Sequence, residues 1–407
     1  MKIAIAPFAS PFIDFFVNLS SYLETLGHEV HFINPDKYIR KILRKNNFQC
    51  KLYQQDVKTI NYFNDNNNLI RYYKRLYSIK NSTSLVKRKN REYTQALAYF
   101  TNHSNYDKLL VWNGDGNVES IACKQLEICC MFFENGYFPN TLQLNYGGVN
   151  CKADFARLSY GEFVQYYFTK AEIKQKDIQI QSFKQNILSR YLFRLTDSSY
   201  SYLFLNILRS NRLKWLAKRR FSKIPEDQIN LSSLGNYIFF PLQVNSDTQI
   251  VLNSSYNSMY EALSEILPAL LETGYKIILK EHPAEVEPVN YNKFVDNENI
   301  FLLKKYSIDQ LIRQATFTVN INSSVGLQAV AENSKVLVLG ESLYAQAPNV
   351  IQYIKGDNIS ALLTQMNFDP SAVEKYIQHL KKDIFIKGNW RSPDLELLHK
   401  ASERILG

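Results

Sequence analysis

Short apolar runs alternate along this chain with longer segments of helical period, and that alternation predicts an α/β protein built on parallel strands. Residues 2–6 read as a first strand, 13–26 as an amphipathic helix stopped by Gly27, and 29–33 as a second strand, a βαβ opening. Residues 35–105 are basic and Asn-rich and predict helices and loops decorating the sheet. The strand pattern resumes at 108–112, and a short helix leads to a buried strand over 128–133. A strand at 142–144 and a tight turn at Gly147-Gly-Val-Asn150 follow. Residues 160–225 are aromatic-rich and predict helix, and 225–235 reads as a linker.

The second half repeats the alternation. A strand opens at Tyr237, a helix over 259–271 stops at Gly274, and strands fall at 276–279, 301–303, 316–320 and 336–339. Helices are predicted between them at 308–313 and from Asn322 through Ala331, then at 360–366, 372–382 and 395–406. The last of these is a candidate to cross back to the first half. The predicted fold class is α/β and GT-B-like, two Rossmann-like domains facing across a cleft. The domain boundaries are an acceptor domain over 1–225 with basic helical insertions, a donor domain over 226–385, and a returning helix over 386–407.

Composition narrows the function. Hydrophobic residues are 45% and charged residues 21% of 407, a globular balance in a chain too long for one ordinary core. Five cysteines (Cys50, Cys123, Cys129, Cys130 and Cys151) without CxxC spacing suggest neither a disulfide framework nor a zinc site, so a reducing cytoplasm is expected. Residues 1–7 hold too short an apolar run for a signal peptide, and no run is long enough to span a membrane. The net charge of +10 is concentrated in two clusters, from Arg71 to Arg91 and from Arg209 to Lys223. Concentrated positive charge calls for an anionic partner. In the second cluster Leu213, Trp215, Leu216 and Phe221 interleave with the cations, as on a helix lying on an anionic membrane, or as on an ordinary solvated face. No nucleic-acid motif accompanies the charge.

The candidate chemistry sits where strands end, because ligands of open α/β sheets bind at the carboxyl ends of strands. The strand at Tyr237 runs into a polar loop carrying Gln243, Asp247 and Gln249, in which Asp247 is either a functional acid or a cap for the helical run after Ser254. Glu134 ends the 128–133 strand in the same way. Asp115 lies in the Asn113-Gly-Asp-Gly-Asn117 loop, and Asn150 offers an amide in its tight turn. Lys280 and His282 leave the 276–279 strand. Ser323 and Ser324 open a helix whose N-terminal N–H groups suit a phosphate, although one of the two also caps it. There is neither a G-x-G-x-x-G fingerprint nor a P-loop, so ordinary NAD or ATP binding is not indicated.

Taken together, Phe133-Glu-Asn-Gly-Tyr137, Gly147-Gly-Val-Asn150, the stretch from Leu242 to Ile250, Lys280-Glu-His-Pro283, the stretch from Val319 to Gly326, and Gly340-Glu-Ser-Leu-Tyr344 resemble the capsule polysaccharide biosynthesis family of bacterial retaining β-Kdo glycosyltransferases. The likeness is strongest to its short member that starts a lipid-linked Kdo linker. It implies a GT-B-like fold, CMP-β-Kdo as donor, a retained β configuration through a glycosyl-enzyme intermediate, and no metal or other cofactor. It also implies roles, with Asp247 as nucleophile and Glu134 as the second cleft carboxylate. His282, Ser323, Ser324 and Lys280 fall on the donor phosphate, and Gln243, Asn322 and Tyr344 are further donor-side candidates.

The chain departs from the family's pattern at Asn135, where a second acid is usual, and at Ala156-Arg157, where a proline-arginine pair is usual. Arg157 remains a candidate partner for a carboxylate or phosphate. Expected partners are CMP-Kdo, a lipid or glycan acceptor and an anionic inner-membrane surface, with no nucleic acid. The expected location is the cytoplasmic face of that membrane. Two other readings stand beside this one: a nucleotide-sugar epimerase or hydrolase on the same fold, and a non-catalytic glycan- or lipid-binding scaffold of capsule assembly.

Overall fold

The computed structural model describes residues 1–6, 10–54, 56–64, 67–77, 82–103, 105–183, 212, 215, 219, 227, 229–245, 247–285, 289–295 and 298–407. Two compact units divide the described residues. One lies within Met1–Asp154, Tyr166–Leu205 and His379–Gly407, the other within Phe155–Gln165 and Asn206–Gln378. The return to the first unit therefore begins at His379, ahead of the 385/386 boundary read from sequence.

The first unit is organised by β1 (Lys2–Ile5), β2 (Glu29–Ile33), β3 (Cys50–Lys51), β4 (Lys108–Trp112), β5 (Cys129–Asn135) and β6 (Thr141–Asn145). Ile3 and Ile5 face one side with Phe15, Phe16 and Leu19 of the helix Ile13–Thr25, while Ala4 and Ala6 face the other with Phe100, Leu109 and Val111. Side chains alternate along a strand, so both faces of this sheet must be covered, and both are. Helix Ile13–Thr25 stops where Gly27 takes φ +87°, a left-handed backbone that releases the chain into β2.

The second unit contains β7 (Tyr237–Pro241), β8 (Lys276–Lys280), β9 (Ile300–Leu303), β10 (Phe317–Asn320), β11 (Lys335–Val338) and β12 (Val350–Gln352), all parallel. Their order, β9-β8-β7-β10-β11-β12, is that of a Rossmann sheet counted from β7. The first sheet runs β3-β2-β1-β4-β5 in the same order and adds antiparallel β6 and β13 (Ile386–Lys387) at its edge. Two Rossmann-like α/β units with a terminal helix returned to the first are the parts expected of a GT-B-like chain. In each sheet the order reverses beside the first strand, between β1 and β4 and between β7 and β10, and the carboxyl ends of those strands flank a ligand crevice.

The C-terminal helix Leu395–Leu406 is integral to the first unit: Leu397, Leu398, Ala401 and Ile405 share a core with Ile3, Phe15 and Leu142. Arg404 is 2% exposed and donates to the carbonyls of Leu144 (3.3 Å), Ile384 (2.7 Å) and Asp383 (3.0 Å). Burial pushes its pKa down to about 10, against the pull of Tyr166, Asp154, Tyr146 and Asp383.

Several sequence expectations are corrected. Over residues 164–183 there is no helix, and the only α-helix between 160 and 183 is Tyr160–Phe163. The segment instead lies without regular secondary structure against the first core, where Ile173, Ile178 and Phe183 pack. Asn18 accepts from the Gln181 backbone N–H (2.7 Å) and donates to its carbonyl (2.8 Å). The remainder of the 160–225 reading lies outside the described residues, apart from three isolated positions. Asp247 caps Thr248–Asn253 rather than a run after Ser254, and Ser258 caps the next helix, Met259–Leu271. Residues 35–105 contribute the edge strand β3 as well as helices, and β12 and β13 were not foreseen. The predicted 372–382 helix ends at His379 and gives way to a wider π-type turn, Leu380–Ile384.

Of the basic residues from Arg71 to Arg91, Arg88 and Lys89 are paired with Glu92 (2.7 and 2.6 Å), and Lys89 is 6% exposed over the Tyr73 ring. Arg71, Lys87 and Arg91 are exposed. Most of the second cluster lies outside the described residues, within which Arg219 sits over the exposed Trp215 ring at 5.4 Å. Among the described residues no helix is long and apolar enough to cross a membrane.

Candidate active site

The β7 exit is where sequence and structure converge most closely. Tyr237, Ile238, Phe239 and Phe240 are buried, and the ladder continues past the strand through Leu242 N–H to the Lys280 carbonyl (2.9 Å). Gln243 follows, 6% exposed, and reaches across the switch point: its Nε2 donates to Asn322 Oδ1 (3.0 Å), and its Oε1 accepts from Asn322 N–H (3.2 Å). A buried amide pair closed in both directions fixes the β7 loop to the β10 loop. Gln243 Nε2 also lies 3.5 Å from Asp247 Oδ2. Asp247 Oδ1 accepts from Gln249 N–H (2.9 Å), the N-cap bond of helix Thr248–Asn253. Asn322 Nδ2 completes the network on the Gln249 carbonyl (3.0 Å), and Asn253 Nδ2 donates to Gln249 Oε1 (2.7 Å). Asp247 thus keeps its cap and remains partly exposed.

From β10, Ser323 caps helix Ser324–Ala331 by accepting from Val325 N–H (3.2 Å), and Ser324 is exposed on the first turn. The turn is braced from below. Asn320 Oδ1 accepts from Ser323 N–H (2.9 Å), and the fully buried Tyr344 hydroxyl lies against Asn320 Oδ1 (2.8 Å) and the Ser323 carbonyl (2.5 Å). A Cβ on Gly326 would collide with the Tyr344 hydroxyl and the Asn320 amide, so only glycine lets the helix start this close to β10. Tyr344 therefore braces the loop; its hydroxyl is turned inward. Asn320, which sequence reading did not single out, is the hub of that brace, and a polar residue ending a fully buried strand was the signal.

His282 leaves β8 with Nδ1 accepting from Ala284 N–H (3.1 Å), so in the neutral ring the proton resides on Nε2. Burial pushes its pKa below the ordinary imidazole value and Lys280 adds to the drop, while Asp247 is near enough to oppose it. His282 is thus a neutral N–H donor at pH 7. Lys280 is 7% exposed and directs its ammonium to the Lys304 carbonyl (3.2 Å). Burial lowers its pKa, against Asp227 and Glu281.

In the first unit, β5 delivers Glu134 beside the β4 exit. Asn113 Nδ2 donates to Glu134 Oε2 (2.7 Å), and Asn135 donates to Oε1 from its backbone N–H (2.8 Å) and its Nδ2 (2.9 Å). Burial pushes the Glu134 carboxyl above the ordinary carboxylate value, Asp115 adds to the rise, and these three N–H bonds oppose it. Asn113 holds φ +65° and Gly114 φ +82°, a left-handed pair that turns the chain directly over the Glu134 carboxylate. Trp390 Nε1 donates to Asn135 Oδ1 (2.7 Å). Asn113 and Trp390 were both missed from sequence; an asparagine directly after a strand was the available signal for the first, and nothing local marks the second.

Gln143 stands opposite Glu134 in register and exchanges bonds with Asn150, Nε2 to Oδ1 and N–H to Oε1, each at 3.2 Å. Asn150, at φ +55°, is therefore part of the support of this strand end. Asp115 is paired with Lys152 at 2.5 Å. Arg157 is exposed at the end of the short turn Asp154–Arg157 and falls with the second unit.

Fold and site define the class as a two-unit Rossmann-like α/β protein with an acid set in an amide cradle at a strand exit of each unit. The chain belongs to the capsule polysaccharide biosynthesis protein family, whose model matches residues 115–348. Protein FixF of Sinorhizobium fredii is 23% identical over 311 residues, 74% of this chain and 67% of that protein. The capsule polysaccharide export protein KpsS of Escherichia coli is 28% identical over 119 residues, 26% of this chain and 31% of that protein, so the match spans about a third of its length. Among solved structures, the β-Kdo 2,4 transferase of Thermosulfurimonas dismutans KpsC is similar with a TM-score of 0.43 and 10% identity, over 92% of this chain and 88% of that one.

Proposed function

We propose that this protein is a retaining glycosyltransferase of capsule assembly that moves β-Kdo from CMP-β-Kdo to a glycan or lipid-linked acceptor. The observation that carries the reading is the Gln243–Asn322 pair, which fixes Asp247 beside the switch-point crevice of the second unit. In the first step an Asp247 oxygen bonds to the anomeric carbon as the carbon–oxygen bond to the phosphate breaks, and its electron pair leaves with CMP. In the second, an acceptor hydroxyl attacks that carbon, its proton goes to a general base, and the bond to Asp247 breaks to regenerate the carboxylate. The raised Glu134 pKa suits a base.

The leaving phosphate needs charge stabilisation rather than protonation. His282 Nε2–H, the Ser324 hydroxyl and the N–H groups opening helix Ser324–Ala331 supply it. The reading calls for no metal. Incubation with CMP-Kdo followed by intact-protein mass spectrometry tests it: a Kdo adduct mapping to Asp247 is expected, and full transfer by Asp247→Ala would overturn the assignment. Product analysis with UDP-sugars separates transfer from epimerisation. Exposed Arg71, Lys87 and Arg91 support an anionic surface as partner, to be checked by flotation with liposomes of differing anionic lipid content.

A further inference from the structure

A carboxylate is already bound at the carboxyl edge of the second sheet, and it comes from the chain itself. Asp227 Oδ2 accepts from three successive backbone N–H groups, those of Lys304 (2.7 Å), Lys305 (2.7 Å) and Tyr306 (3.1 Å). Three N–H dipoles converging on one oxygen form an anion-binding concavity, and charge-assisted bonds of this kind are about twice as strong as neutral ones. These residues lie between β9 and helix Ile308–Gln314, whose own first turn is capped by Ser307, so the concavity is distinct from a helix N-terminus.

Positive charge lies beside this carboxylate. Lys280 donates to the Lys304 carbonyl at 3.2 Å, and Lys304 Nζ stands 3.6 Å from Glu281. Asp227 and Glu281 both act on the Lys280 ammonium, opposing the fall in its pKa, so Asp227 meets positive charge as well as the three N–H groups. The concavity also adjoins the proposed donor site. Leu242 N–H bonds to the Lys280 carbonyl and Glu281 N–H to the Leu303 carbonyl, so the exits carrying Gln243, His282 and Lys304 are successive positions on one sheet edge.

We propose that the backbone N–H groups of Lys304, Lys305 and Tyr306 form an oxyanion site that Asp227 fills in cis and that a carboxylate or phosphate group of the substrate takes over, releasing Asp227. The identity of the ligand rests on the glycosyltransferase reading; the existence of the site does not. Asp227 is then an internal competitor for the β9 exit.

The test follows the amide resonances of residues 304–306 in wild type and Asp227→Ala during separate titrations with inorganic phosphate, acetate and CMP. Asp227→Ala should bind the anion about tenfold or more tighter than wild type, because its competitor is gone, with saturable shifts centred on these three amides. A response to acetate but not phosphate assigns the site to a sugar carboxylate, and the reverse to a phosphate. Unmoved amides in Asp227→Ala, or equal affinities in the two proteins, would overturn the proposal. If Asp227→Ala does not fold, Asp227→Asn, whose neutral amide oxygen competes more weakly than a carboxylate, should show a smaller gain in anion affinity of the same sign, and equal affinity there would count against the proposal in the same way. Transfer from CMP-Kdo is assayed in parallel: anion binding without transfer leaves the site standing and removes the donor reading, whereas transfer without anion binding does the opposite.

Discussion

Asp247 and Glu134 both stand at the carboxyl end of a buried strand, yet the chain treats them differently. Asp247 lies in a loop, opens a helix, and is held by Gln249 N–H and the Gln243 amide. Glu134 lies within β5 itself, paired to β6, and is gripped by Asn113 and Asn135 on both oxygens. The first acid is positioned by a network that crosses the switch point; the second is positioned by its immediate neighbours and has its proton affinity raised by burial. Under the proposed mechanism the nucleophile needs a fixed place and the base a tuned pKa, and the two cradles differ in that sense.

Replacing Asp247 is the most severe way to break this contrast. Asp247→Ala should lower transfer from CMP-Kdo by about 10³-fold or more and remove the covalent adduct, with the fold retained by circular dichroism. Glu134→Gln should cost about 10²-fold in turnover and erase the acidic limb of the pH–rate profile, which in wild type lies above the ordinary carboxylate value. An unchanged limb in that variant would assign it to another group.

The same residue gives a stability prediction of opposite sense to the usual carboxylate. The folded chain holds the Glu134 proton more tightly than the unfolded chain, so this contribution is present at low pH and is lost as pH rises through the raised value. Denaturant titrations at about pH 5 and about pH 8 should show Glu134→Gln gaining on wild type at the higher pH. For His282, whose pKa is lowered, the linkage runs the other way: its contribution is lost as pH falls. His282→Ala should lower kcat/KM by about tenfold, and His282→Gln, which keeps an N–H donor, should recover part of that loss. Gln243→Ala should lower kcat by a few fold, because Asp247 keeps its bond to Gln249 N–H but loses the Gln243 amide, and should destabilise by about 1–3 kcal/mol, because Asn322 is left with buried, unsatisfied groups.

Periodicity made most of the sheet strands and their order of appearance legible, because parallel strands buried on both faces are continuous apolar runs. It failed at β3, β12 and β13, which are two or three residues long and exist only because a neighbouring strand offers an edge. The helical reading failed over residues 164–183 for a tertiary reason, while the described positions 212, 215 and 219 are helical. The aromatic density there suggested a helix, but Asn18 satisfies both backbone groups of Gln181, and Asp14 accepts from Phe183 N–H at 3.1 Å, so these backbone groups are bonded to the first helix instead of to a helix of their own. At the site, the acids were visible as polar residues after strands. Gln243, Gln249 and Asn322, which hold Asp247, were visible in the same way, but Asn113 and Trp390 on the Glu134 side were not, since Trp390 reaches Asn135 across 255 positions of sequence.

The first unit's core has a consequence for how the chain acquires its structure. Leu397, Leu398, Ala401 and Ile405 pack among Ile3, Phe15 and Leu142, and β13 supplies the outer edge of the sheet. As synthesis proceeds from the N-terminus, the second unit has all six of its strands available once Gln352 has emerged, while the first must wait for the final helix. The half of the protein made first is therefore the half finished last, and until then it presents the unfilled side of its core to whatever retains nascent chains.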